Sequence, residues 1–140
     1  MRILVTGANG LLGEAVVRIS EKTNEVIPLA GRRVCDIRKT KDTLESICKS
    51  RPDVIIHTAA IADPDTAERY PEKTHLINCI GTRNVALAAK KVAAKMVYIS
   101  TESVYDGKKR TPYLEYDKTN PTSFYGQTKI MGEDITSSLL

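Results

Sequence analysis

The chain has 140 residues and a mass of 15.4 kDa, with 41% hydrophobic and 27% charged residues. Those values suit one ordinary globular domain and exclude a disordered, collagen-like or disulfide-stapled chain. The net charge of +4 is spread along the chain beside only six Tyr and one Phe, so no nucleic-acid partner is expected.

Arg2–Thr6 is an apolar run that ends at Gly7 and reads as a buried parallel strand. Residues 11–22 carry Leu12, Val16 and Ile19 at helical spacing. Residues 25–30 read as a second strand, stopped by Gly31, and 34–37 as a short third. Residues 40–49 place Leu44, Ile47 and Cys48 on one helical face. Residues 53–57 form a fourth strand entered through Pro52. A polar connection holds a short helix at 65–69. Pro71 then suits the first turn of a long helix over 72–94. Gly81 falls in the middle of that helix, where glycine costs about 1 kcal/mol against alanine; close approach to the sheet would account for it. Residues 96–100 are a fifth strand. A loop with Gly107, Pro112 and Pro121 leads to a last helix over 124–140, and Lys108–Arg110 reads as a solvated loop tip.

Alternating strands and helices predict an α/β fold, a Rossmann-type doubly wound parallel sheet of order 3-2-1-4-5 with helices on both faces. Ligands then bind beyond the carboxyl ends of the strands, after Thr6, Ala30, His57 and Ser100. No apolar run approaches the roughly 18 residues of a membrane helix, so no membrane partner is expected. Cys35, Cys48 and Cys79 lie far apart with no C-x-x-C pair. They read as reduced thiols of a cytoplasmic protein, with no metal site. A first strand at Arg2 leaves no room for a signal peptide.

Four stretches carry chemistry. Gly7, Gly10 and Gly13 follow the first strand and open a helix, the context in which a glycine pattern holds a pyrophosphate. The second strand ends in Gly31-Arg32-Arg33 with no acid for a ribose 2′-hydroxyl, and arginine forks suit a 2′-phosphate. NADP(H) is therefore expected over NAD(H), with Asp36 either against the adenine or structural. Thr58, Ala59 and Ala60 are small enough for a dinucleotide to lie on their backbone. His57 reads as a satisfied strand-end histidine. Finally, Ser100 and Thr101 end a strand, while Tyr125 and Lys129 are i and i+4 on one helical face. An ammonium there would lower the phenol's pKa and prepare it for proton transfer.

These stretches have company in Asn78, Gly81-Thr82-Arg83-Asn84, Tyr98-Ile99-Ser100-Thr101, Tyr105-Asp106-Gly107, Pro112-Tyr113 with Glu115 and Asp117, and Gly132-Glu133. Together they resemble the extended short-chain dehydrogenase/reductase family, most closely its dTDP-4-dehydrorhamnose reductase branch, over essentially the whole chain. The resemblance implies hydride transfer between a nicotinamide and the 4-keto group of a nucleotide sugar. Tyr125 would be the general acid, Lys129 would hold the nicotinamide ribose and tune Tyr125, and Thr101 would polarise the carbonyl. The expected cofactor contacts are Gly7, Asn9, Gly10, Leu11, Leu12, Gly13, Arg32, Arg33, Asp36, Ile37, Thr58, Ala59, Ala60, Asn78, Ser100, Tyr125 and Lys129. The family run Ser-Thr-Asp-Tyr-Val-Phe is here Ser100-Thr101-Glu102-Ser103-Val104-Tyr105, at positions that face the sugar in the family. The expectation is a single NADP-binding domain over 1–140 without the family's carboxyl-terminal substrate domain, and hence slow turnover alone. A homodimer through the 72–94 and 124–140 helices is also expected. The alternative is a non-catalytic dinucleotide-binding regulatory subunit, which resembles the beta subunit of methionine adenosyltransferase.

Overall fold

Ile3, Leu4 and Val5 need apolar cover on both sides of their strand, and they have it. On one face Leu4 joins Ile55, Ile47 and Val85, all fully buried. On the other, Ile3 and Val5 pack with Val16 and Val17 of the first helix. The computed structural model describes all 140 residues. Strands β1 (Arg2–Thr6), β2 (Glu25–Leu29), β3 (Val54–His57) and β4 (Lys95–Tyr98) form one parallel sheet in the order β2-β1-β3-β4. Helix α1 (Leu11–Ser20) covers one face. Helices α2 (Thr40–Ser50) and α5 (Thr82–Lys91) cover the other, and α6 (Phe124–Leu139) packs beside α5 and against β4. This is a Rossmann-type arrangement, and the chain reverses its winding between β1 and β3. No helix is long and apolar enough to cross a membrane.

The third strand expected over 34–37 does not form. The Val34 and Cys35 amides both turn back onto the Gly31 carbonyl, at 3.1 and 3.2 Å. Asp36 then takes the Arg38 amide at 3.2 Å, and the Ile37 side chain is drawn inward against Gly81. A Cβ on Gly81 would lie 2.7 Å from Ile37 Cδ1. Gly81 is therefore set by this loop and not by the sheet. The remaining four strands keep the expected order without its first member.

The single helix expected over 72–94 is also divided. Helix α3 (Pro64–Arg69) is followed by α4 (Pro71–His75), a wide π-turn (Leu76–Gly81) and then α5. Within that turn the Thr82 hydroxyl donates to the Asn78 carbonyl at 2.6 Å. Such bulges inside helices are frequent at functional sites. Helix α6 begins cleanly because Ser123 Oγ accepts the Gly126 amide at 3.1 Å. Glu68 of α3 accepts the Phe124 amide at 2.7 Å.

Candidate functional site

The carboxyl ends of β1 and β3 open into a cleft of about 360 Å³. Its floor is built by glycine. Gly7 has a φ of +66°, and a Cβ there would lie 2.7 Å from the Ala59 Cα. Only glycine lets the β1 and β3 loops touch in this way. A Cβ on Gly13 would run into the Gly7 carbonyl oxygen, so Gly13 seats α1 on the turn without lining the cleft. Gly10 is the N-cap of α1 and offers no side-chain cap. The amides of Leu11 and Leu12 make no backbone hydrogen bond. Their side chains point outward, Leu11 being 95% exposed. What these two residues offer is therefore two free N–H groups at a helix N-terminus, a ready anion site.

Asn9, Arg32, Asp36, Ile37, Thr58, Ala59 and Ala60 line the cleft with Gly7 and Gly10. Thr58 ties the two loops together, its hydroxyl donating to the Thr6 carbonyl at 2.6 Å. Arg33 is not on the cleft wall, and sequence reasoning passed over Arg38, Lys73, Cys35 and Ile77, which are. Arg38 is the consequential omission. It donates from Nε and Nη2 to the two oxygens of Asp36, at 2.8 and 2.6 Å. The guanidinium holds the Asp36 carboxyl below its ordinary range. Asp36 is itself buried, so it acts here as the seat of an arginine. A D-x-R triplet is too common to have been read as such. Lys73 and Ile77 reach the region only through tertiary packing.

Asn78 stands behind the cleft wall. It is 1% exposed, and its amide both accepts from the Ile61 N–H at 2.8 Å and donates to the Ile61 carbonyl at 3.0 Å. It also donates to Thr128 Oγ1 at 3.0 Å. Asn78 thus clamps the loop after β3 to α6. A second polar line runs beside it. The Thr82 hydroxyl spends its proton on Asn78, so His57 must donate from Nε2, at 3.0 Å, and accept from the Thr6 hydroxyl at Nδ1, at 2.6 Å. Burial, helped by the Lys129 ammonium, pushes the His57 pKa down to about 3. His57 is a neutral, fully satisfied structural histidine.

The second part of the site lies at the end of β4. Thr101 caps a short 3-10 turn (Glu102–Val104). Tyr125, on the first turn of α6, is buried. Burial pushes its phenol pKa up, the Thr101 hydroxyl pulls it partly back and the Glu102 carboxylate adds to the rise. The expected lowering by Lys129 is not found. The i, i+4 spacing puts both residues on one face of α6, but the Lys129 ammonium turns to the Ile99 carbonyl at 2.5 Å. It sits 4.2 Å from the centre of the Tyr98 ring. Desolvation brings the Lys129 pKa down to about 8 against the opposing pull of Glu133. Ser100, also expected to face a cofactor, donates its hydroxyl to Glu133. Ile99 and Ser100, just after β4, are therefore bound to Lys129 and Glu133, one turn apart on the helix. Thr101 and Tyr125 are left beside one another, outside this latch.

A turn of free amides, a cationic cleft wall and a buried Tyr beside a Thr now stand at the carboxyl edge of one sheet. The family model described as the RmlD substrate binding domain matches residues 1–139. The chain belongs to that family. Among its relatives is a dTDP-4-dehydrorhamnose reductase from Burkholderia thailandensis, 36% identical over 95% of this chain and 44% of the relative. Methionine adenosyltransferase 2 subunit beta from Bos taurus is 36% identical over 94% of the chain and 41% of the relative. A crystal structure of dTDP-4-dehydrorhamnose reductase from Bacillus anthracis, in complex with NADP, superposes with a TM-score of 0.94 at 35% identity. It is matched over 99% of this chain and 49% of its own. The chain spans less than half the length of these curated relatives.

Proposed function

We propose that this chain is the NADP(H)-binding part of a reductase that acts on the 4-keto group of a nucleotide sugar. The observation that carries the reading is the placing of two free helix-terminal amides, Leu11 and Leu12, on the same sheet edge as the Thr101–Tyr125 pair. The residues present fit a dinucleotide. The Gly7–Gly10 turn leads into α1 with the Leu11 and Leu12 amides unpaired and open to a pyrophosphate. Thr58–Ala60 presents small side chains to the cleft, and Arg32, Arg38 and Lys73 face it with Asp36 already paired. Bound there, the nicotinamide supplies a hydride.

The chain's own part is to bind, orient and deliver a proton. Tyr125 carries its proton at neutral pH as an ordinary phenol does, and burial moves its pKa further up, so it stands as a donor to the developing alkoxide oxygen. The Thr101 hydroxyl would hydrogen-bond the same oxygen. Lys129 would hold a ribose hydroxyl after giving up the Ile99 carbonyl, and its charge would then bear on Tyr125. In the full-length protein we expect NADPH to bind more tightly than NADH by calorimetric titration. Equal affinities would remove the cofactor assignment. We also expect the full-length protein to consume NADPH when given dTDP-4-dehydrorhamnose, and Tyr125→Phe to lose about 100-fold or more in kcat while still binding cofactor.

The likeness to the bovine methionine adenosyltransferase subunit supports a second reading, a dinucleotide-binding regulatory subunit without turnover. Cofactor binding with no NADPH consumption by the full-length protein would favour it. In either case we propose association through the helices over 72–94 and 124–140, where Leu76 and Met131 are 44% and 45% exposed. A monomeric mass by light scattering would count against that contact.

A further inference from the structure

We propose that Arg38, seated on Asp36, is the residue that selects a 2′-phosphorylated adenosine over one with a free 2′-hydroxyl. The inference rests on the dinucleotide reading of the cleft. Arg32 and Arg33, the residues a sequence argument favours, lie in an exposed turn after β2 with no ion-pair partner. Arg33 does not reach the cleft wall. An unheld arginine must give up the freedom of a long side chain to grip a phosphate. Arg38 has already given it up.

Its guanidinium is gripped by both oxygens of a buried carboxylate, and Asp36 Oδ1 also takes the Arg38 amide at 3.2 Å, so backbone and side chain are fixed by one group. Two of the five N–H donors of the fork are used. Three remain. Arg38 lines the cleft in company with Leu29, which ends β2, with Gly31 just beyond it, and with Arg32. That is the end where the sugar next to the adenine lies when the pyrophosphate sits on the Leu11 and Leu12 amides, as the β-α-β geometry requires.

The pair also removes an obstacle. A free carboxylate at this end would accept from a ribose 2′-hydroxyl and repel a 2′-phosphate. With Arg38 in place Asp36 is neutralised and no other acid lines the cleft. One salt bridge thereby cancels the negative charge that the sugar would otherwise meet, and Arg32 and Lys73 leave the cleft wall net positive. Arg32 is left as a screening charge at the rim.

The experiment is a calorimetric comparison of 2′,5′-ADP and 5′-ADP on the full-length protein and three variants. The wild type should prefer 2′,5′-ADP by roughly 10- to 100-fold, the range that charge-assisted hydrogen bonds supply. Arg38→Ala and Arg38→Gln should both bring the ratio of affinities to near one. Gln keeps a donor for Asp36, so the result does not hang on a buried, unpaired carboxylate. Arg32→Ala should change the ratio by less than about threefold, the weak effect of an exposed charge. A ratio that survives both Arg38 variants, or collapses with Arg32→Ala, overturns the proposal and leaves the dinucleotide reading standing. Failure of the wild type to bind either nucleotide overturns both. A wild type that binds both equally well overturns the proposal and the preference for NADP(H), and leaves the dinucleotide reading standing.

Discussion

The two ends of the candidate site are built from different materials. At the β1 end the decisive groups belong to the backbone: glycines whose missing Cβ atoms let Gly7, Ala59 and α1 close on one another, and amides that α1 leaves unpaired. Toward the β3 and β4 end the decisive groups are buried side chains, Asn78, His57, Thr82, Thr128 and Lys129, each held by a neighbour. The first kind of construction tolerates almost any side chain that points away and no atom added underneath. The second tolerates crowding better but fails when one partner is lost or changes its charge.

The contrast breaks most readily at Gly13. Alanine there would gain roughly 1 kcal/mol of helix propensity, yet its Cβ would meet the Gly7 carbonyl, which is backbone and cannot rotate away. A net destabilisation of about 2–3 kcal/mol is expected by urea denaturation. A neutral or stabilised Gly13→Ala would mean that α1 is free to slide on the turn.

The side-chain end is sharpened by pH. His57 titrates near pH 3 in the fold, against 6.5 as its ordinary value. The unfolded chain takes up that proton first, so the contribution is whole above about pH 6.5 and is lost as pH falls toward 3. The slope should reach up to about 1.4 kcal/mol per pH unit. In His57→Gln the loss of stability between pH 6.5 and pH 4.5 should be shallower, with carboxylates contributing equally to both proteins. Parallel curves would show that His57 is not buried neutral.

The smallest effect separates side chain from backbone at one residue. Leu11 is the first residue of α1, after an extended Gly10 with φ −86° and ψ 164°, a place where proline fits. Leu11→Pro should keep the fold and weaken NADPH binding by roughly 10-fold through loss of one N–H to phosphate. Leu11→Ala should leave affinity within about twofold, because the side chain is 95% exposed and exposed positions contribute little. If the alanine variant loses as much as the proline one, the side chain and not the amide makes the contact.

The same division explains what could be read in advance. Strand β1, the glycine turn and the start of α1 follow from residues close together in the chain, and they stand where the spacing puts them. The side-chain end is tertiary. The i, i+4 spacing brings Tyr125 and Lys129 to one face but says nothing of Ile99, whose carbonyl draws the ammonium away. The stretch Val34–Ile37 has the look of a short strand. Its Ile37 is instead spent against Gly81, a partner more than forty residues away. Arg38 was legible only as a charge, since nothing in a local pattern says that Asp36 is buried.

The wide turn at Leu76–Gly81 has a consequence for insertions and deletions. A turn of this kind holds one residue more than the α-helix around it. Removing one residue within it would leave a continuous regular helix, a repair at the local level. It would also rotate everything before the turn by about 100° relative to α5, the angle each helical residue subtends. Asn78 could then no longer meet both Ile61 and Thr128, and Glu68 would swing off the Phe124 amide. The irregularity is the phase setting of the molecule: it keeps two halves of one helix in step with two different neighbours.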